Sequence, residues 1–238
     1  MQMPVELVKL FDQIRQNKKQ GTGFCSNCDL QKDHGPVLID CTDDALRRPP
    51  KIVVVSESPV SKGGKLLGDI NGWTSDLMTQ CSESLGELSS AGTMGKFIGR
   101  LTRGRIYSKT DMTRTHGLYW THAVKCFLQN EENKEMSFRE IKKNRGSDFH
   151  SAIRECSKCL PEEIRCIDPE LIIAVGKSVA GRRLEELGLH EKLCVVYHPG
   201  ARRTITKQQK QEKLNALCKR VRKLGLTDAL PACVYSGT

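Results

Sequence analysis

Apolar residues fall along this chain in two kinds of pattern. Four short and nearly continuous apolar runs cover Lys51–Ser56, Leu118–Lys125, Glu170–Val175 and Lys192–Tyr197. They are rich in Val, Ile and Leu and too short for core helices, so they predict buried β-strands. Helical spacing occupies other stretches. Residues 4–17 carry Leu7, Leu10, Phe11 and Ile14 on one side, with Pro4 at the start. Residues 147–167 read as helical, with a kink or restart predicted at Pro161. A helix after Gly176 carries Val179, Ala180, Leu184 and Leu187, with Ser178 as its expected N-cap. From Arg202 to Lys223 the stripe is Leu214, Leu217, Val221 and Leu224. Gln129 to Ser147 reads in part as surface loop, and no element is predicted over Ser82 to Gly117. Strands apolar on both faces, spaced by helix-length segments, predict an α/β protein: a three-layer α/β/α sandwich around a four-stranded parallel sheet. One domain over residues 1–238 is expected, with an N-terminal helix and CxxC segment and a basic C-terminal helix.

Charge changes the picture next. The 238 residues carry 38 Lys and Arg against 28 Asp and Glu, a formal net charge of +10. Most of the excess sits in one place. Between Arg202 and Lys223 there are nine basic residues and a single acid, Glu212. That concentration suits either a solvated helix face or a surface tracking phosphates, and a second basic stretch from Lys96 to Arg114 favours a nucleic-acid partner. Aromatic residues are only 5% of the chain, too few for an extended base-stacking platform. No window approaches 18 uninterrupted apolar residues, and the start lacks a basic-then-apolar leader. An intracellular, cytoplasmic, DNA-associated monomer without membrane contact is the expectation.

Eleven cysteines is a high and odd number. Disulfides are not expected in a reducing compartment, so several thiols are expected to hold a metal or a cluster. Cys25-x-x-Cys28 offers two thiolates from one tight turn. Cys126 and the Cys156/Cys159 pair are the further sources. Two CxxC pairs would suit zinc, although the gap between them far exceeds that of a compact zinc ribbon. A [4Fe–4S] cluster accepts thiolates scattered through a folded domain. Cys41, Cys81, Cys166, Cys194, Cys218 and Cys233 are expected to be small buried hydrophobes.

Taken in order, the motifs resemble a family. Cys25 and Cys28 are followed by a strand ending Ser56-Glu57-Ser58-Pro59, a strand ending Val124-Lys125-Cys126, then Cys156, Leu160 and Pro169, and finally His198-Pro199. This series resembles the iron–sulfur uracil-DNA glycosylases of the family 4 type, within the uracil-DNA glycosylase superfamily. The resemblance covers roughly residues 22–205, with no clear counterpart from about 74 to 117. The family's Gly-Glu-x-Pro motif is matched by residues 56–59, its His-Pro motif by His198 and Pro199, and its Val-Lys-Cys ligand motif by residues 124–126. Its fourth ligand stands four residues before a Leu and thirteen before a Pro, a register that Cys156 has and Cys159 lacks. The resemblance therefore implies a [4Fe–4S] cluster on Cys25, Cys28, Cys126 and Cys156, with zinc as the alternative.

Two positions depart from the family. His122 stands where a family Asn reads the uracil edge, and Leu66, within Gly63–Gly68, stands where a Phe stacks on the base. Leucine gives apolar contact without a ring.

The resemblance implies hydrolytic release of uracil or another deaminated base from single- or double-stranded DNA, with the base flipped out. His198 would donate to the carbonyl oxygen that gains charge as the base leaves. Glu57 would stabilise the cationic sugar or orient water. Ser58, Pro59, Leu66 and His122 would line the base pocket, and Arg202, Arg203 and Lys207 would hold phosphates. No lysine nucleophile is evident, so a monofunctional enzyme is expected. The rival is a nucleic-acid-binding protein that keeps the fold and cluster without catalysis.

Overall fold

The structure is a computed structural model that describes residues 5–26, 50–57, 92–103, 117–125, 140, 143, 149–199, 201 and 205–234. Four strands form its centre: β1 (Ile52–Ser56), β2 (Leu118–His122), β3 (Leu171–Val175) and β4 (Leu193–Val196). All are parallel, in the order β2-β1-β3-β4. The helices are α1 (Val5–Gln20), α2 (Gly92–Leu101), α3 (Phe149–Cys156), α4 (Leu160–Ile167), α5 (Arg182–Glu186) and α6 (Lys207–Lys223). The three-layer α/β/α architecture expected from the apolar runs is present.

Side-chain alternation along each strand makes the two cores. Val53, Val55, Tyr119, Ile172 and Ala174 point to one face, where α1, α3, α4 and α5 supply Leu7, Phe11, Ile14, Ile153, Leu160, Ile164 and Leu184. Ile52, Val54, Leu118, Trp120, Leu171 and Ile173 point to the other, covered by Phe97 and Ile98 of α2 and Leu217 and Val221 of α6. Register pairs such as Ile52 with Leu118 and Val54 with Trp120 place like residues on one face. Each large side chain so buried contributes about 1.5–3 kcal/mol relative to exposure.

The chain around Pro161 restarts, as predicted. α3 ends at Cys156, residues 157–159 form a turn, and Pro161 sits in the first turn of α4, where its missing N–H costs nothing. Asp168 closes α4 in the left-handed conformation just before Pro169. α6 begins later than the basic run: Thr206 caps it reciprocally with Gln209, leaving Ile205 and Thr206 outside the helix.

Two expectations are corrected. Ser178 caps no helix. Residues Lys177–Gly181 form a wide π-type turn closed by Gly181 N–H donating to Gly176 O at 2.9 Å, and the Ser178 hydroxyl turns elsewhere. Cys218 of α6 and Cys233 of the terminal 3₁₀ turn Pro231–Val234 are not merely small buried hydrophobes; they form a disulfide. Both are buried against the α6 face of the sheet, and Arg222 Nη1 donates to the Cys233 carbonyl at 2.8 Å. Among the described residues no helix is long and apolar enough to cross a membrane.

Candidate functional site

The strand order fixes where a ligand fits. β1 connects onward to its β2 side and β3 to its β4 side, so the chain reverses direction between β1 and β3. In open parallel sheets the crevice at that reversal, beyond the carboxyl ends, is the binding position. Glu57 is the first residue past β1 and Gly176 the first past β3. Gly176 has φ +104, and a Cβ there would lie 2.7 Å from Glu57 Oε1. Both the backbone conformation and the approach of the carboxylate thus demand glycine. The π-type turn aims Ser178 back at the crevice, where its Oγ donates to Glu57 Oε1 at 3.4 Å. Burial raises the Glu57 pKa above 4.5, and the Ser178 hydrogen bond opposes that shift. A desolvated carboxylate at a strand reversal has the character of a functional group.

His198 follows β4, on the far side of β3 from Glu57. Two strand spacings separate β1 from β4, roughly 10 Å, room for a flat ring between the two side chains. Ala201 N–H donates to the His198 carbonyl at 2.9 Å, closing a tight turn over Pro199. Lys210 of α6 reaches into this turn and donates to the Pro199 carbonyl at 3.4 Å. Burial first, and then the Lys210 charge, lower the His198 pKa below 6.5. At neutral pH the imidazole is therefore uncharged and able to donate one N–H.

His122 ends β2, opposite Ser56 in register. It is buried, 4% exposed, with Nδ1 2.8 Å from Ser56 Oγ, which also accepts from Trp120 Nε1 at 2.8 Å. Ala123 N–H donates to the Ser56 carbonyl and Val124 N–H to the Glu57 carbonyl, so the β2 end is stitched to the Glu57 turn. His122 is thus a bonded core histidine at the same rim as Glu57.

Below the rim lies a fully buried ion pair. Lys125 Nζ contacts Glu163 Oε2 and Thr121 Oγ1, and Glu163 Oε1 accepts from Tyr119 Oη at 2.6 Å and from Thr121 Oγ1 at 2.9 Å. The network fastens the end of β2 to α4.

Of the expected thiol ligands, Cys156 is described with its side chain and is buried at the end of α3, with Cys159 buried in the next turn. Cys25 lies in the 3₁₀ turn Gly23–Cys25, which packs against α3. Phe24, Val124, Cys156 and Cys159 share one apolar cluster. The turn that carries Cys25 thus packs against the helix that ends at Cys156, and thiolates are the donor type that suits a cluster or a soft metal. Cys28, Cys126, Ser58, Pro59, Leu66, Arg202 and Arg203 lie outside the described residues, as does the Cys25 side chain. Among the described residues no group of three or more metal-binding side chains converges. Lys207 is described and exposed in the first turn of α6.

Compared with known families, residues 47–222 match the model of the Uracil DNA glycosylase superfamily. The chain belongs to this superfamily. No curated protein sequence matches it. The superfamily match spans Glu57, His122, His198, Cys126, Cys156 and Lys207 and leaves Cys25 and Cys28 outside its bounds. Members of the superfamily are typically DNA glycosylases. Three residues at the site, Ser56, Gly176 and Lys210, were not expected there, and Ser178 was expected only as a helix cap. Gly176 carried the only available signal, a glycine directly after a buried strand.

Proposed function

We propose that the protein is a monofunctional DNA N-glycosylase that removes uracil or another deaminated base. The observation carrying this reading is the desolvated Glu57 carboxylate at the strand reversal, with a neutral His198 two strands away. A base inside a duplex is out of reach, so the target nucleotide enters flipped or from single-stranded DNA. His198 donates a hydrogen bond to the base carbonyl oxygen as the C1′–N bond breaks and the electron pair leaves with the base. Glu57 stabilises the oxocarbenium-like sugar and accepts a proton from the water that attacks C1′. The products are the free base and an abasic site. Ser58, Pro59, Leu66 and His122 line the base pocket, and Arg202, Arg203 and Lys207 hold the flanking phosphates. The protein acts as an intracellular monomer built as one domain.

The iron–sulfur family 4 type is part of this reading. Cys25, Cys28, Cys126 and Cys156 would hold a [4Fe–4S] cluster, supported by the packing of the Cys25 turn against α3, which ends at Cys156. When bound, the cluster supplies a structural cross-link between these distant segments. Zinc on Cys25, Cys28, Cys156 and Cys159 is the alternative. Brown colour bleached by Cys126→Ala supports the cluster, whereas a colourless, zinc-containing protein sinks it.

The activity is tested with single- and double-stranded oligonucleotides containing uracil or hypoxanthine, followed by alkali. Strand cleavage is expected, falling about 10²–10³-fold in His198→Ala, the cost of removing one donor to a developing oxyanion. Glu57→Gln should also lose it. Salt-sensitive binding with no cleavage of either base would overturn the enzyme in favour of a binding protein on the same fold.

A further inference from the structure

The turn that follows β3 meets one carboxylate oxygen of Glu57 at two points. A Cβ on Gly176 would lie 2.7 Å from Glu57 Oε1 and 3.3 Å from its Cδ, so the carboxylate packs against the bare glycine Cα. Ser178 Oγ donates to the same oxygen at 3.4 Å. That is long for an O–H donor, and hydrogen bonds at reacting groups often tighten once substrate is bound. The turn itself has little freedom. Gly181 N–H donates to the Gly176 carbonyl at 2.9 Å. A Cβ on Gly181 would lie 3.1 Å from that carbonyl oxygen and 3.1 Å from Val195 Cγ1 of β4, so the turn lies closely on the neighbouring strand. Val179 and Ala180 are buried in the core beside Leu184, whereas Lys177 and Ser178 are exposed. The apolar half thus fastens the turn, and Ser178 is the hydroxyl it presents to Glu57. Among the described residues Glu57 Oε2 has no hydrogen-bond partner.

We propose that Ser178 is a positioning residue: with Gly176 it holds Oε1 of Glu57, fixing the rotamer in which Oε2 faces C1′ and the attacking water. The proposal rests on the glycosylase reading and adds to it a group that acts through Glu57. In this role Ser178 touches neither the base nor the sugar. A carboxylate oxygen held by a rigid neighbour loses less freedom when the reacting atoms line up, which lowers the barrier. A hydroxyl that donates to a carboxylate also favours its ionised form, so Ser178 offsets part of what burial does to Glu57. The other titratable groups on the surrounding elements are His122 and Lys125 at and just past the end of β2, Lys177 in the turn, and His198 beyond β4. His122 is bonded to Ser56 and Lys125 is paired with Glu163. The causes acting on Glu57 are burial and the serine.

Two measurements test it. Carbon-13 NMR of the full-length protein with labelled glutamate side chains follows the Glu57 carboxyl, assigned by its loss in Glu57→Gln. In Ser178→Ala this carboxyl should titrate at higher pH than in the parent, and Ser178→Thr, which restores a hydroxyl, should bring it back. An unmoved titration, or a threonine variant as displaced as the alanine one, overturns the proposal without any DNA. The second measurement is single-turnover release of uracil from a single-stranded oligonucleotide. Ser178→Ala should lower the rate about tenfold, the weight of roughly one hydrogen bond to a charged group, with the affinity for the oligonucleotide unchanged. The acid limb of the rate should move to higher pH together with the NMR titration. A loss confined to affinity, or an acid limb that stays in place, overturns the proposal. If the parent releases no base while the Glu57 titration still moves, the glycosylase reading falls alone and the hold of Ser178 on Glu57 stands.

Discussion

Glu57 is held where ionisation is costly, and the sign of that cost can be tested. Burial raises its pKa above 4.5, with the Ser178 hydrogen bond acting the other way. The folded chain then binds this proton more tightly than the unfolded chain does. Its contribution to stability is fully present below 4.5 and is lost as pH rises through the folded value. Glu57→Gln keeps the shape without the charge. It should raise Tm at about pH 8, by about 2–4 °C for each 1 kcal/mol relieved, with the gain disappearing as pH falls below the unfolded value. Calorimetry across that range checks it, and a lower Tm for the variant at pH 8 would mean that the carboxylate is stabilised in place. In the proposed mechanism the same carboxylate must ionise to act, so base release should fall along an acid limb whose midpoint lies above 4.5. Glu57 was legible in the sequence because it follows a buried strand within a motif. Its partner Ser178 was not: 121 residues separate them, and a serine after Gly176 reads as a cap until the π-type turn is seen.

Between elements, the strands were the most legible feature. Each of the four apolar runs contains its observed strand, and for β1, β2 and β3 burial on both faces explains the uninterrupted apolar signature. What the pattern could not reveal is how β2 is fastened to α4. Glu163 sits in the first turn of a helix, where an acid usually reads as a solvated partner of the helix dipole, yet it is 1% exposed. Lys125 pairs with it across 38 residues, and Tyr119 and Thr121 fill the remaining sites on one carboxylate oxygen. Such a pair is weak evidence of stability in itself, but breaking it strands a charge. Lys125→Met should therefore cost about 3–5 kcal/mol in urea denaturation. Adding Glu163→Gln should recover most of that loss, since no unpaired charge remains. A double variant as unstable as the single one would show that the lysine acts through packing. The Cys218–Cys233 disulfide was likewise hidden, because a compartment argument speaks against disulfides and says nothing about which cysteines the last turn brings onto α6.

At the scale of the whole molecule the net charge acquires a direction. α6 starts at the carboxyl rim of the sheet and runs away from it, so its first turns flank the crevice while its later turns cover the core. Lys207, Lys210, Lys213, Lys219, Arg220 and Lys223 have no carboxylate partner among the described residues. Lys210 continues the stripe of Leu214, Leu217 and Val221 that faces the sheet, and it reaches the Pro199 carbonyl beside His198. Lys219 is exposed, two residues from Leu217 and so on the opposite side of the helix. Under the proposed function, DNA entering the crevice passes the first of these and not the second. Lys210→Gln should weaken binding of a uracil-containing oligonucleotide and reduce the slope of log affinity against log salt by about 1, the signature of one lost phosphate contact. Lys219→Gln should leave that slope nearly unchanged. Removing Lys210 also removes a charge that depresses the His198 pKa, so the histidine should titrate higher in that variant, a shift visible by NMR without DNA. Equal losses at both positions would mean that the polyanion surrounds the helix rather than following the rim, and would separate the basic run from the crevice that Glu57 and His198 define.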